Sequence, residues 1–203
     1  MAAGPADARF EVLGRETCYR GYFRLDRVRV RFRLFAGGWS EAIVREVFER
    51  GDAAAVLLYD PDRDAVVLVE QFRTAAIGHP AGPWLIETVA GIIEPGETPE
   101  GVARREAVEE AGVALEAVTP IGELLVSPGG SSERLWLFCA RVDSTAADGI
   151  HGVDEGEDIR VVVMAADEAF AAVAEGRILA TNAVVPLQWL ALNRDRLRAR
   201  WGG

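Results

Sequence analysis

The stretch Gly91–Val113, GIIEPGETPEGVARREAVEEAGV, constrains the fold more than any other part of the chain. Thr98 is placed as a helix N-cap, Pro99 as the first helical residue and Gly112 as the glycine just past the helix end. An apolar run, Trp84 to Val89, leads into it through Ala90-Gly91, so a strand–loop–helix unit is predicted. Ala103, Ala107 and Ala111 form a small-residue stripe that lets this helix approach a sheet closely. Glu106, Glu109 and Glu110 fall at i, i+3 and i+4, so three carboxylates share one face. Without a counter-charge that spacing is mildly destabilising. Oxygen-rich clusters of this kind suit hard divalent cations such as Mg²⁺, which in turn hold phosphates. Glu106 and Glu110 are both expected to face solvent and metal.

The 203 residues, half of them apolar, suffice for one sizeable core or a core with a small appendage. No window reads as a signal peptide and no apolar run approaches a membrane span, so no membrane association is expected. Cys18 and Cys139 lie far apart and imply neither a disulfide framework nor a thiolate metal site; a reducing, cytoplasmic compartment is the plain reading. The net charge is −10, yet every basic residue is arginine. The absence of lysine excludes a Walker lysine, a Schiff base and a lysine general base. Residues 1–50 carry ten Arg against seven Asp or Glu, a net +3, which leaves −13 on the remainder. So acidic a body argues against a nucleic-acid binder.

Along the chain, Glu11 to Phe35 reads as antiparallel strands, with Val28, Val30, Phe32 and Leu34 alternating with Arg27, Arg29, Arg31 and Arg33. Ala36-Gly37-Gly38 is a turn and Glu41 to Phe48 a further strand. Ala53 to Tyr59 and Ala65 to Phe72 form a hairpin around Asp60–Asp64. Strands are also predicted at Leu124 to Ser127, Leu135 to Val142 and Val161 to Met164. The last of these follows an acidic loop, Asp154 to Asp158. Two helices, Ala166 to Glu175 and Val184 to Leu197, close a mixed α/β chain. The predicted division is an N-terminal β region, 1–50, and a main domain, 51–203.

The Gly91–Val113 stretch matches the Nudix box over its full length. Other blocks narrow the likeness: VEQFR at 69–73, VAGIIEPGE at 89–97, SPGGSSER at 127–134, GEDIR at 156–160 and LQWL at 187–190. Pro128, sixteen residues after Gly112, stands where one subfamily carries a diagnostic proline. From about Tyr22 to Trp201 the chain resembles the bacterial ADP-ribose pyrophosphatases of the Nudix family.

That resemblance implies an αβα sandwich around a mixed β-sheet, and a homodimer whose N-terminal strands are exchanged so that each site uses both chains. It implies two or three Mg²⁺ ions, with Mn²⁺ as an alternative, held by the Ala90 carbonyl, Glu106 and Glu110, and by Glu109 as an additional or water-mediated ligand. Glu155 would be the base and Glu157 a metal-side helper. The acidic loop is one residue shorter than the family pattern, which leaves the division of roles between those two open. Gly91, Glu97, Arg105 and Gly112 would be structural, with a Glu97–Arg105 ion pair bracing the box loop. The substrate residues would be Tyr22 and Phe23 near the adenine, with Arg45, Glu46 and Arg50 from the partner chain. Arg73, Ile92, Ser127, Pro128, Gly129 and Glu133 complete that set. The implied reaction is Mg²⁺-dependent hydrolysis of ADP-ribose to AMP and ribose 5-phosphate. Another nucleoside diphosphate sugar, such as GDP-mannose, is the alternative substrate, and a non-catalytic ADP-ribose sensor the weaker alternative.

Several features have plainer explanations. Asp60-x-Asp62-x-Asp64 has the start of a calcium loop, but Ala65 and Gln71 replace its glycine and glutamate, so it reads as a hairpin turn. The arginines at 27, 29, 31 and 33 read as one wet or partner-facing side of a strand. His79 and His151 have no nucleophile at motif spacing and read as structural. Trp39 is the tryptophan placed to touch a ligand or partner. Arg73 is left between a substrate contact and a surface ion pair.

Overall fold

The computed structural model describes residues 9–152 and 156–202. The chain divides into two compact units, Met1–Gly51 with Leu125–Glu133, and Asp52–Leu124 with Arg134–Gly203.

In the first unit, β1 (Phe10–Arg20), β2 (Arg24–Phe32) and β3 (Ile43–Glu49) form an antiparallel meander in that order. Cross-strand partners share a face. Phe10 opposite Phe32, and Val12 opposite Val30, which in turn lies opposite Ile43, therefore make one apolar side. That side is open: Phe10 is 58% exposed and Val12 56%. Of the alternating arginines, Arg31 pairs with Glu11 at 2.6 Å, and Arg31 and Arg33 lie over the Trp39 ring at 4.9 and 4.4 Å. Trp39 thus meets two arginines of its own chain. The buried Asp26 accepts from Thr17 and pairs with Arg15 and Arg24. Burial pushes its carboxyl upward, but the Thr17 hydroxyl and the two arginines hold it below the usual range.

The second unit is a three-layer sandwich. β4 (Ala53–Asp60) and β5 (Ala65–Phe72) form the expected hairpin, and every residue of β4 is buried. Its turn is fixed by Asp60, whose carboxylate accepts from the backbone of Asp62 and Arg63 and from the backbone and hydroxyl of Ser144. Burial opposes ionisation, but these donors outweigh it and lower the Asp60 pKa to about 2. Asp64 turns elsewhere, to the Tyr59 hydroxyl at 2.8 Å and to Arg194. The carboxylates of this turn therefore serve separate partners.

Beyond the turn the two strands splay. β6 (Trp84–Glu87) pairs with the outer half of β5, and β7 (Val89–Ile92) with the first half of β4. The single run predicted at Trp84 to Val89 is thus two strands, separated at Thr88. On its other edge β4 pairs in parallel with β9 (Arg134–Arg141), followed by β8 (Val118–Leu125). β11 (Ile159–Ala165) and the short β10 (Ile150–His151) extend the β5 side. β8 begins six residues before the predicted Leu124 to Ser127 strand. Pro120 and Gly122 mask it in sequence, and its place at the sheet edge is where a proline costs no ladder bond.

The period of two in β4 assigns the layers. Ala54, Val56 and Leu58 pack with Val102, Ala103, Ala107 and Ala111 of α1 (Pro99–Ala111). Leu57 and Tyr59 pack on the opposite side with α2 (Ala166–Ala174) and α3 (Thr181–Trp201). α3 starts one turn before the predicted Val184 and contains Pro186. Proline has no N–H to offer the Asn182 carbonyl four residues back. The Thr88 hydroxyl donates to that carbonyl instead, at 2.7 Å. Among the described residues no helix is long and apolar enough to cross a membrane.

Candidate active site

The strand–loop–helix unit forms as its sequence requires. Thr98 caps α1 by accepting from the Gly101 N–H at 3.1 Å, and Gly112 ends it in the left-handed conformation at φ 67°. In the loop the Glu97 carboxylate accepts from the Glu94 N–H at 2.9 Å, and its other oxygen takes the Arg105 Nε at 3.0 Å. The anticipated Glu97–Arg105 ion pair is therefore present. Arg105 also reaches Glu106 and Glu109, both at 2.7 Å. This guanidinium supplies counter-charge to Glu97, Glu106 and Glu109. Burial works against the Arg105 charge, yet Glu97, Glu109 and Glu106 together raise its pKa.

Glu110 departs from expectation. Instead of facing solvent it is buried, 6% exposed, with its carboxylate accepting from the Ala90 N–H at 3.1 Å. The alanine stripe presses α1 against the sheet, and the next side chain around the helix is drawn in with it. Burial pushes its carboxyl up to about 8; the Ala90 N–H and Arg73 oppose the rise, while the Glu106 and Glu157 charges add to it. Because the Ala90 N–H turns to Glu110 and not to β4, the carbonyl of that residue faces the same edge of the strand. Glu106 lies against Gly91 in the next position of β7.

These oxygens are hard donors, and the burial that raises the Glu110 carboxyl, reinforced by the Glu106 and Glu157 charges, is what a bound divalent cation would offset. The Ala90 carbonyl, Glu106 and Glu110 fit a divalent ion on both counts. Glu109 is more exposed and is engaged by Arg105. The charge of Glu157 bears on both Glu110 and Arg73. Glu155 lies outside the described residues. Ile92 sits on β7 opposite Ala53.

Arg73 has an ion-pair partner that the sequence reading did not identify. Its Nε and Nη2 bond the carboxylate of Glu87, the latter at 2.7 Å, and the Asn182 side-chain amide donates to the same carboxylate at 3.2 Å. The available signal was a lone charge inside the apolar run Trp84 to Val89.

In the first unit, four of the expected substrate residues come together. Tyr22 and Phe23 are in edge contact at 4.8 Å, and Phe23 meets Phe48 at 5.1 Å. The Arg50 guanidinium lies 5.7 Å from the Phe23 ring and pairs with Glu133 at 2.9 Å. The loop carrying Ser127, Pro128 and Gly129 closes through a Ser131 N–H to Ser127 carbonyl bond of 2.8 Å and runs beside Phe48. Arg45 and Glu46, adjacent on β3, point to opposite faces, and Arg45 binds only the Val44 carbonyl among the described residues. Those two are not drawn into the aromatic group.

A mixed sheet between helical layers, with a glutamate-bearing helix docked on a glycine strand, defines the class. The NUDIX domain model matches residues 49–183, and the chain belongs to that family. It is 51% identical over 192 residues to the ADP-ribose pyrophosphatase of Escherichia coli strain K12, covering 94% of this chain and 92% of that protein. It is 42% identical over 150 residues to the GDP-mannose pyrophosphatase of Cronobacter sakazakii, covering 73% and 78%. A crystal structure of an ADP compounds hydrolase shares the fold with a TM-score of 0.71 at 20% identity, over 98% of this chain and 99% of that one.

Proposed function

We propose that this chain hydrolyses the pyrophosphate bond of ADP-ribose to AMP and ribose 5-phosphate, using Mg²⁺, with Mn²⁺ as an alternative. The observation that carries this reading is the convergence of Glu106 and the buried Glu110 on the Ala90-Gly91 strand. Bound divalent ions supply charge withdrawal from the diphosphate and an acidified water. The Ala90 carbonyl, Glu106 and Glu110 hold them, Glu109 assists, and Arg105 with Glu97 fixes the helix and loop. Arg73 contributes a guanidinium edge to the diphosphate. The proton of the attacking water passes to the acidic loop, with Glu155 as the base and Glu157 as a metal-side helper. Tyr22, Phe23 and Arg50 offer stacking surfaces suited to a nucleobase. Arg45, Glu46, Ile92, Ser127, Pro128, Gly129 and Glu133 complete the substrate contacts in the same reading.

The same proposal includes a homodimer with exchanged N-terminal strands, supported by the open apolar side at Phe10, Val12 and Phe32. It also includes a division at residues 1–50 and 51–203, and a cytoplasmic location consistent with two free cysteines. GDP-mannose hydrolysis is the second reading, favoured by the Cronobacter relative.

The test is a panel of nucleotide sugars against the purified protein, with Mg²⁺ and with chelator. AMP from ADP-ribose at the highest kcat/KM supports the proposal. Faster release of GMP from GDP-mannose supports the second reading. Saturable binding of ADP-ribose without cleavage contradicts both.

A further inference from the structure

The contact between Arg73 and Glu87 belongs to a chain of buried polar groups that starts at a proline. Pro186 leaves the Asn182 carbonyl without its helical donor, and the Thr88 hydroxyl, fully buried, takes that place. Asn182 is thereby tied to the junction of β6 and β7, with its amide on the Glu87 carboxylate at 3.2 Å. Glu87, only 7% exposed in its side chain, grips Arg73 by two of the three guanidinium nitrogens. The Arg73 backbone is held as well, its N–H donating to the Pro83 carbonyl at 2.7 Å. Arg73 itself is 38% exposed in its side chain.

We propose that Glu87 and Asn182 are positioning residues, which lock the Arg73 guanidinium so that its remaining Nη1 edge is presented to the diphosphate of the substrate. This rests on the assignment of Arg73 to the substrate made above. A buried carboxylate is a poor way merely to join two strands. Apolar groups of similar volume hold such a position at least as well, since the cost of desolvating both charges offsets much of their attraction. What an ion pair adds is direction. A guanidinium fixed through Nε and one terminal nitrogen has lost its side-chain freedom before ligand arrives, so none need be lost on binding or at the transition state. Asn182 supplies the third point, since one carboxylate oxygen shared between Arg73 and a fixed amide cannot rotate away. Arg73 also lies within electrostatic reach of Glu110 and Glu157.

The experiment compares Asn182→Ala and Glu87→Gln, each alone and combined with Arg73→Ala, in steady-state hydrolysis of ADP-ribose with saturating Mg²⁺. Thermal melts accompany every variant. The expected result is a fall in kcat of about tenfold for Glu87→Gln and about threefold for Asn182→Ala, with KM changed less than about twofold. In the Arg73→Ala background both effects should shrink to less than about twofold, because the group they position is gone. A loss of the same size with and without Arg73 would overturn the inference, as would an unchanged kcat in Asn182→Ala. If Glu87→Gln does not fold, the Asn182→Ala cycle decides the matter alone. Active wild-type protein with an unaffected Arg73→Ala variant overturns the inference and leaves the proposed reaction standing. A wild-type chain that cleaves no nucleotide sugar overturns both.

Discussion

Glu106 fills the volume that any side chain at Gly91 would need: a Cβ there would lie 1.7 Å from its Oε1 and 2.6 Å from its Cγ. The glycine is required for space and not for backbone freedom, since it is absent from the positive-φ positions of the chain. Gly91→Ala therefore has to expel the Glu106 carboxylate or lift α1 from the sheet. The expected outcome is a loss of kcat on the order of a hundredfold, since misplacement by about 1 Å carries that cost. Far-UV circular dichroism should stay close to wild type, and Mg²⁺ titration of the rate should show weakened metal dependence.

Arg105 serves three carboxylates at once through the forked geometry of its guanidinium. Lysine keeps the charge but offers a single nitrogen. Arg105→Lys is expected to lower kcat about tenfold, as loss of a partner that orients metal ligands does. Its melting temperature should fall by about 2–4 °C. Steady-state kinetics and a thermal melt check both.

Asp60 contributes to the acid limb of stability. Its folded pKa of about 2 lies below its ordinary value of 3.8, so its stabilising contribution is fully present above 3.8. That contribution is lost as pH falls from there through 2. Denaturant unfolding between pH 2 and pH 6 should show wild-type stability declining in this window. In Asp60→Asn the starting stability should be lower and the decline shallower.

Phe23 has Tyr22 and Phe48 at its edges and Arg50 above it. If the group receives a nucleobase, Phe23→Ala should raise KM for ADP-ribose about tenfold, the scale of one aromatic stacking contact, with kcat within about twofold. Isothermal titration with AMP should show the same loss.

The sequence made α1 legible because its signals agree locally: cap, first-turn proline, alanine stripe and terminal glycine specify one helix between two fixed ends. The β4–β5 hairpin was legible for the same reason. The break at Thr88 was not, because two strands separated by a single residue read as one run despite the polar pair Glu87-Thr88. Nor was β8, where a proline counts against a strand until its edge position is known. At the site, the residue types of the carboxylate face could be read, but the burial of Glu110 could not. That depends on how closely α1 docks, a tertiary quantity set by Ala103, Ala107, Ala111 and the strand beneath them. The partnership of Glu87 with Asn182 spans most of the second unit's sequence, and no local pattern encodes it.

The most direct measurement is the initial rate of AMP release from ADP-ribose as Mg²⁺ is titrated, for wild type and Glu110→Gln side by side. Wild-type release should be abolished by chelator and saturate with Mg²⁺, and Glu110→Gln should be slower by on the order of a hundredfold or more at saturating metal. Turnover that survives chelation, or a Glu110→Gln rate close to wild type, would contradict the assignment of this carboxylate face to metal-dependent pyrophosphate hydrolysis.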